Sequence, residues 1–598
     1  MFTFKRGRVL LLSSLASTVL LCSSASAQFD VKWVTFKDSP TKLGVLPTAI
    51  SDTSTEVDFA TGDLNNDGWQ DVVAVRKQQT STTGKRTNML LINNHGKLED
   101  KTAQWATAAD VAGDLGFLTP VNNRDAKIID VNNDGWADVV TCTTLSDGDP
   151  KVISHPRVYM NLGDDGTGQW LGLRFENARF PQLLTIPGGL AVAPRFCEVA
   201  AGDVSGDGFA DLYFSDYDGT ETGIPEAGGE DLNDRLLFND GNGFFVDTGV
   251  SACSASELNS AFGVKAEILD LNGDARNDIV KLSTLGGTGT NAMYNQPLGS
   301  FSALGLNHLG SGSPYGFDMG SLNGDGLPDV AGADDGLDVY QLSTGFDALN
   351  RLTWGPVKTY QFASGGDDGF GHNVYIRDLN ADGWGDVMIS SVDVDVSGCG
   401  GRWHIYHNLG GVVGGDVTLK EEMQSGGSTG WKGAVGITAT DLAAGYDAAY
   451  ADFDHDNDLD MIVSGCGGAK YFQNQTAPAT CQEDLGFAGP GTTALSICGE
   501  DLTQTASTAT LSVTGAAPSS PMFIALGLVN NPTPLKGGTL VPVPLLLLLG
   551  GFNTTASGTF DMPVAGGSAT PGTIYIQVVV KHGTTLEFSN ALALNIGL

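Results

Sequence analysis

The chain has 598 residues, with 69 acidic against 32 basic side chains and a formal net charge of −37. Such a surface repels nucleic-acid phosphates and anionic lipid, which argues against both as partners. Hydrophobic residues make up 41% and recur in runs, so the composition does not describe a disordered chain, and the acids need a local explanation.

Residues 1–27 have a basic start (Lys5, Arg6, Arg8), an apolar stretch from Val9 to Leu21 and a small-residue end, Ala25-Ser26-Ala27. This pattern predicts a signal peptide cleaved before Gln28, and hence a protein that is secreted or held at the cell surface. Cys22 follows Leu21 rather than a small residue, so it does not form a lipid-attachment site. Val31–Phe36 then reads as a short strand.

Next comes a nine-residue loop of the form D-x-N-x-D-G-x-x-D, each copy followed at once by a β-prone apolar run. It occurs at Asp63–Asp71, Asp130–Asp138, Asp203–Asp211, Asp270–Asp278, Ser321–Asp329, Asp378–Asp386 and Asp452–Asp460. The starts lie 67, 73, 67, 51, 57 and 74 residues apart, which is repeat spacing with loops of variable length. A further strand in the repeat ends near Asn, as in Leu90–Asn94, Val158–Leu162, Leu236–Asp240 and Ile405–Asn408. Short strands between Gly-rich turns, with no helical period, predict all-β radial repetition over residues 28–475.

These loops resemble the FG-GAP (VCBS) repeats of integrin α-subunit propellers and of related secreted bacterial proteins, over about three quarters of the chain. The resemblance implies a seven-bladed β-propeller in which each loop joins the first two strands of a four-stranded blade. The last unit supplies three strands, ending at Tyr471–Asn474, so the strand at Val31–Phe36 is expected to complete it and close the ring.

Oxygen ligands at loop positions 1, 3, 5 and 9, with the carbonyl of position 7, suit Ca²⁺, which takes 6–8 oxygens, better than Zn²⁺ or Mg²⁺. The candidate ligands are Asp63, Asn65, Asp67 and Asp71; Asp130, Asn132, Asp134 and Asp138; Asp203, Ser205, Asp207 and Asp211; and Asp270, Asn272, Asp274 and Asp278. The remaining three loops offer Ser321, Asn323, Asp325 and Asp329; Asp378, Asn380, Asp382 and Asp386; and Asp452, Asp454, Asp456 and Asp460. An EF-hand would need an acid at position 12, where the chain has Ala74, Thr141, Phe214, Lys281, Gly332, Ile389 and Val463. Position 6 demands a positive φ that Gly meets best; Ala275 and Asn457 depart from it, and Ser321 replaces a first carboxylate.

After a linker at 476–480, residues 481–598 lose charge and Trp and alternate β-rich runs with Gly, Pro and Asn turns, predicting a small C-terminal β-sandwich. Its Leu485–Gly491, Asn530–Pro534 and Gly537–Pro544 stretches resemble a C-terminal module of assorted secreted bacterial proteins. The apolar run Leu540–Leu549 holds Pro542 and Pro544, is too short for a membrane span, and reads as a buried strand. Of the seven cysteines beyond the leader, Cys481 with Cys498 suits a local bridge, while Cys399 and Cys466 suit either a bridge between neighbouring blades or two buried thiols.

No catalytic set stands out. Gly426–Gly430 fits G-x-S-x-G but lacks the flanking strand and helix of a nucleophile elbow. His404 and His407, an odd number of residues apart on a strand, face opposite sides. The leading expectation is an extracellular calcium-binding protein whose long loops, opposite the calcium loops, engage a protein or polysaccharide. A lectin or polysaccharide lyase with Trp170 and Trp431 as sugar platforms, and a structural scaffold, are the alternatives.

Overall fold

The computed structural model describes residues 33–598 apart from 79–83, 144–154, 182, 184–195, 218–232, 261–262, 285–288, 310–313, 335–336, 363–370, 392–400, 422–436, 438–441, 444, 457, 476–479, 500–501, 503–507, 556–557, 566–571 and 597–598. The chain divides into two compact units, one of Lys32–Thr476 and one carrying Ala477–Leu598.

Among the described residues the first unit holds seven sheets of four or five strands, following one another along the chain, and one inserted hairpin, Ser343–Phe346 with Leu352–Trp354. The innermost two strands of the sheets are Thr55–Gly62 with Asp71–Gln78, Asn123–Ile129 with Asp138–Thr143, Phe196–Gly202 with Asp211–Asp216, and Ala266–Leu269 with Asp278–Ser283. Then come Pro314–Gly320 with Asp329–Asp334, Gly371–Arg377 with Asp386–Ser391, and Gly445–Ala451 with Asp460–Gly465. In all seven pairs the ninth loop residue sits in register opposite the residue just before the loop, as Gly62 faces Asp71 and Ala451 faces Asp460.

The strands leaving the loops are apolar on both faces because each is packed on both sides. Val72 and Ala74 join Ala449, Ile462 and Tyr471 of the last sheet in one core, while Val73 and Val75 join Ala126, Val139 and Tyr159 of the second sheet in another. Each further neighbouring pair of sheets also shares a core of its own. A period of two along a strand buried on both faces is the arrangement of sheets stacked radially. The unit is an all-β propeller, and its helices are single turns such as Pro47–Ile50 and Ala255–Leu258.

The closing strand lies later than the sequence reading placed it. Of the expected strand Val31–Phe36, residues 31–32 lie outside the described residues; the strand that pairs antiparallel with Lys470–Asn474 is Phe36–Asp38, with Lys37 opposite Gln473. Trp33 and Val34 are instead buried with Leu379, Met388 and Trp403, and the indole stacks on His407 at 3.8 Å.

Two buried clamps recur around the unit. In six of the seven sheets an Asn at or near the end of the third strand donates its side-chain amide to the carbonyl of the second loop residue in the preceding sheet. The pairs are Asn161 to Leu64 (2.7 Å), Asn239 to Val131 (2.7 Å), Asn295 to Val204 (2.8 Å), Asn408 to Leu322 (2.8 Å), Asn474 to Leu379 (3.0 Å) and Asn93 to Phe453 (2.9 Å). Nearer the axis, acids on the innermost strands accept backbone N–H groups of the next sheet: Asp125 from Val199 (2.8 Å), Asp318 from Ile376 (2.6 Å) and Asp447 from Phe59 (2.7 Å). These carboxylates satisfy strand edges that would otherwise be orphaned.

In the second unit a four-stranded sheet (Thr480–Cys481, Ala494–Gly499, Thr508–Thr514, Phe560–Ala565) and a five-stranded sheet (Glu483–Gly486, Thr585–Ile596, Gly572–His582, Pro521–Gly527, Leu547–Asn553) contribute to one core, including Ile497, Leu511, Ile524 and Val578. The Leu540–Leu549 run is not a single buried strand. The prolines end the strand Gly538–Pro542, where Leu540 and Val541 are buried, and the chain re-enters as the edge strand Leu547–Asn553, leaving Leu545 to Leu548 exposed.

Candidate metal centres

Each repeated loop bulges from the hairpin between the first two strands, and two of its residues need left-handed backbone. Position 6 behaves as the sequence indicates: φ is +88° at Gly68 and Gly135 and +62° at Ala275, while Asn457 lies outside the described residues. Position 4 is equally constrained, with φ of +55° at Asn66, +56° at Asn133, +54° at Ala381 and +62° at His455. The run of Asn and Gly at that position was the signal that could have revealed it.

The turn aims the first carboxylate inward by tying it to loop N–H groups. Asp63 accepts from Asp67 (3.1 Å) and Gly68 (2.8 Å), Asp130 from Asp134 (3.2 Å) and Gly135 (2.7 Å), and Asp378 from Asp382 (3.0 Å) and Gly383 (2.7 Å). Asp203 and Asp270 are held likewise by Gly208 (2.9 Å) and Ala275 (2.8 Å), and Ser321 accepts from Gly324 at 3.1 Å. The fifth-position acids Asp67, Asp134, Asp207, Asp274, Asp325, Asp382 and Asp456 each accept the N–H of position 7. At position 3, Asn65, Asn132, Asn272 and Asn323 accept the N–H of position 5, and Ser205 lies 3.5 Å from Asp203.

The ninth residues occupy a different environment from positions 1, 3 and 5. Asp71, Asp138, Asp211, Asp278, Asp329, Asp386 and Asp460 are at most 1% exposed. In the first six, one oxygen accepts the N–H of the second loop residue and the other that of the last residue of the third strand or its counterpart, for example Leu64 (3.0 Å) and Asn93 (2.8 Å) on Asp71. Burial, offset in part by these N–H bonds and, at Asp460, by the Tyr471 hydroxyl and the Asn474 N–H, pushes the carboxyls of Asp71, Asp138, Asp278 and Asp460 up to about 7 and that of Asp329 to about 6. Asp211 and Asp386 shift the same way for the same cause. These acids serve as keystones of the hairpin.

The loops are not equivalent. In the fourth, the Arg276 guanidinium pairs with Asp274 and brings a fixed positive charge to a ligand position. The seventh gathers Asp452, Asp454 and Asp456, one oxygen from each lying within 4.8 Å of the others, a convergence of three acids found nowhere else among the described residues. Asp458, at position 7, was not anticipated as a ligand, yet its side chain is buried beside this group.

Among the described residues of the repeated loops, three buried side-chain oxygens have no hydrogen-bond partner: Oδ1 of Asn380, Asp454 and Asp458. An orphaned acceptor inside a cage of oxygens is what a hard cation would satisfy, so the donor set fits Ca²⁺. Neighbouring loops also touch: Asn66 donates to the Gly135 carbonyl (3.0 Å), Asn133 to that of Gly208 (3.0 Å), and the His455 ring lies 2.9 Å from that of Gly68 while stacked on Trp69 at 3.8 Å.

Elsewhere, Trp170 is buried and donates its indole N–H to Asn161 at 2.8 Å, so it packs rather than offers a platform. Trp431, Cys399 and Gly426–Gly430 lie outside the described residues. His404 binds Glu421 at 2.9 Å while His407 stacks on Trp33, placing them on opposite sides as expected. Cys466 and Cys498 are each engaged in a disulfide, each within its own unit, Cys498 lies in register with Cys481, and Cys142, Cys197 and Cys253 are free buried thiols. No helix among the described residues is long and apolar enough to cross a membrane.

Residues 130–214 match the FG-GAP-like repeat family. No curated protein sequence matches the chain. Among solved structures the chain is similar to one titled "Structure of Dos1 propeller", at 8% identity over 75% of this chain and 96% of that one, with a TM-score of 0.36.

Proposed function

We propose, from the premise that this chain is an FG-GAP-repeat β-propeller protein, that it is a secreted, calcium-holding seven-bladed propeller with a C-terminal β-sandwich that binds an extracellular protein or polysaccharide. The observation that carries the calcium reading is the oxygen cage of the loops, above all the three unpartnered buried oxygens of the sixth and seventh. In each loop the ion is assigned to the residues at positions 1, 3 and 5, with the buried ninth carboxylate behind them. When bound, Ca²⁺ neutralises carboxylates that otherwise repel one another across a few ångströms.

The role of the ion is structural. It fixes hairpins that carry the clamps between blades. Fold alone does not name the ligand. The test is an array of extracellular proteins and acidic and neutral glycans probed with the full chain, with and without calcium. Calcium-dependent capture of one class supports the reading; a chain that binds calcium yet captures nothing on any surface supports the scaffold alternative instead.

A further inference from the structure

The seventh loop is built differently from the other six, and its differences converge on the strand that closes the ring. Its ninth residue, Asp460, accepts the Tyr471 hydroxyl (2.7 Å) and the Asn474 N–H (2.8 Å), where the other ninth residues accept an N–H of their own loop. Asp458 takes the interior: it is 8% exposed and its Oδ1 has no hydrogen-bond partner. Asp454 stands where five of the other loops have Asn and one has Ser, and its two oxygens have opposite surroundings. Oδ1 is buried and unpartnered, whereas Oδ2 accepts from the Gln473 side-chain amide and lies 3.9 Å from Lys42 Nζ.

Both of those partners belong to the closure. Gln473 is on Lys470–Asn474, directly opposite Lys37 of the closing strand, and Ser39 just after that strand lies 3.5 Å from its side-chain oxygen. Lys42 ends the short 3₁₀ turn Pro40–Lys42 that follows. Asp454 is therefore a single carboxylate between a cation cage and the segment that completes the last sheet.

We propose that the side chains of Asp454 and Asp458 both ligate the cation of the seventh loop, and that occupancy of this one site is coupled to docking of the closing strand Phe36–Asp38. The proposal rests on the calcium reading above. The ion takes the free oxygen of Asp454, and Gln473 and Lys42 orient that carboxylate from behind, as outer-sphere partners of a metal ligand do. Reciprocity then follows: whatever seats the strand tightens the ion, and the ion seats the strand to the same degree.

The test uses the full chain in two measurements. Calcium titration by calorimetry on the wild type and on Asp458→Asn, Gln473→Ala and Lys42→Ala counts sites and affinities. Amide hydrogen exchange, with and without calcium, follows residues 36–38 against the second-strand amides of the first sheet, Val72–Val75. The expected result is that Asp458→Asn weakens one site at least tenfold and leaves the others, that Gln473→Ala and Lys42→Ala weaken the same site several-fold, and that calcium slows exchange at 36–38 at the concentration filling that site. Unchanged affinity in Asp458→Asn, or exchange at 36–38 that ignores calcium while other sites fill, overturns the proposal and leaves the calcium reading intact. No calcium uptake by any loop overturns both. The exchange measurement on the wild type decides the coupling even where a variant fails to fold.

Discussion

The side-chain amide of Asn93 donates to the backbone carbonyl of Phe453, 360 residues further along the chain, at 2.9 Å. The same bond joins Asn161 to Leu64 and Asn474 to Leu379, so the contact between the first and last repeats has the form of a contact between successive ones. The bond is buried, and the backbone N–H of each of these Asn residues is held by the ninth loop residue of its own sheet, Asp71, Asp138 or Asp460.

Breaking one clamp leaves several orphans at once. In Asn161→Ala the carbonyls of Leu64 and Ala137 and the indole N–H of Trp170 all lose a partner in the interior. A loss of about 2–4 kcal/mol is expected from unsatisfied buried groups, read as a lower midpoint in equilibrium urea unfolding. A midpoint within error of wild type would show that these bonds are dispensable.

Ala275 and Ala381 hold left-handed backbone at φ of +62° and +54°, where a Cβ is disfavoured. Ala275→Gly and Ala381→Gly are each expected to stabilise the chain by about 0.5–1 kcal/mol, the steric relief exceeding the added flexibility of Gly. Thermal melts of the two variants and their double check this; a fall in melting temperature contradicts it.

In the fourth loop Arg276 supplies the positive charge that a cation would bring to Asp274. Arg276→Gln is expected to tighten calcium at that loop by several-fold, since an adjacent fixed charge no longer competes for the carboxylate. Terbium luminescence titration reads the change, and an unaltered isotherm would mean the guanidinium swings clear on binding.

The buried keystones set a pH dependence. For Asp71, Asp138, Asp278 and Asp460 the folded value is about 7 against an ordinary 3.8. The folded, metal-free state therefore holds protons that the unfolded state has released. Their contribution is fully present below about pH 4 and is lost as pH rises through 7. Chelated protein is expected to melt at progressively lower temperature between pH 4 and pH 7, and saturating calcium should flatten that slope. A slope of the opposite sign in chelator would show that the keystones are ionised by some other means.

Much of the propeller was legible because its signal repeats: one loop pattern, seven times, fixes where each hairpin turns and which strand follows it. The keystone role of Asp71 and its counterparts was not legible, since the spacing that makes a ninth ligand is also the spacing that puts a carboxylate under the hairpin. The proposed role of Asp458 was hidden because position 7 was expected to contribute only its backbone carbonyl, and only its burial separates it from a solvated acid. The closing strand was found by counting strands, and its described pairing begins later than expected, at Phe36–Asp38, while Trp33 is buried against Leu379, Met388 and Trp403. The Leu545–Leu548 exposure was missed because apolar composition alone does not distinguish a core strand from an edge.

Calcium titration of the chelated full chain, with the melting temperature followed alongside, bears most directly on the central claim that the repeated loops are cation sites holding the ring together. The account predicts uptake of several ions per chain and a melting temperature that rises with calcium. It also predicts that Asp456→Ala removes a tight site whereas Asp325→Ala, in the loop begun by Ser321, removes a weak one. No uptake and a melting temperature indifferent to chelator would contradict it, leaving the loops as solvated turns.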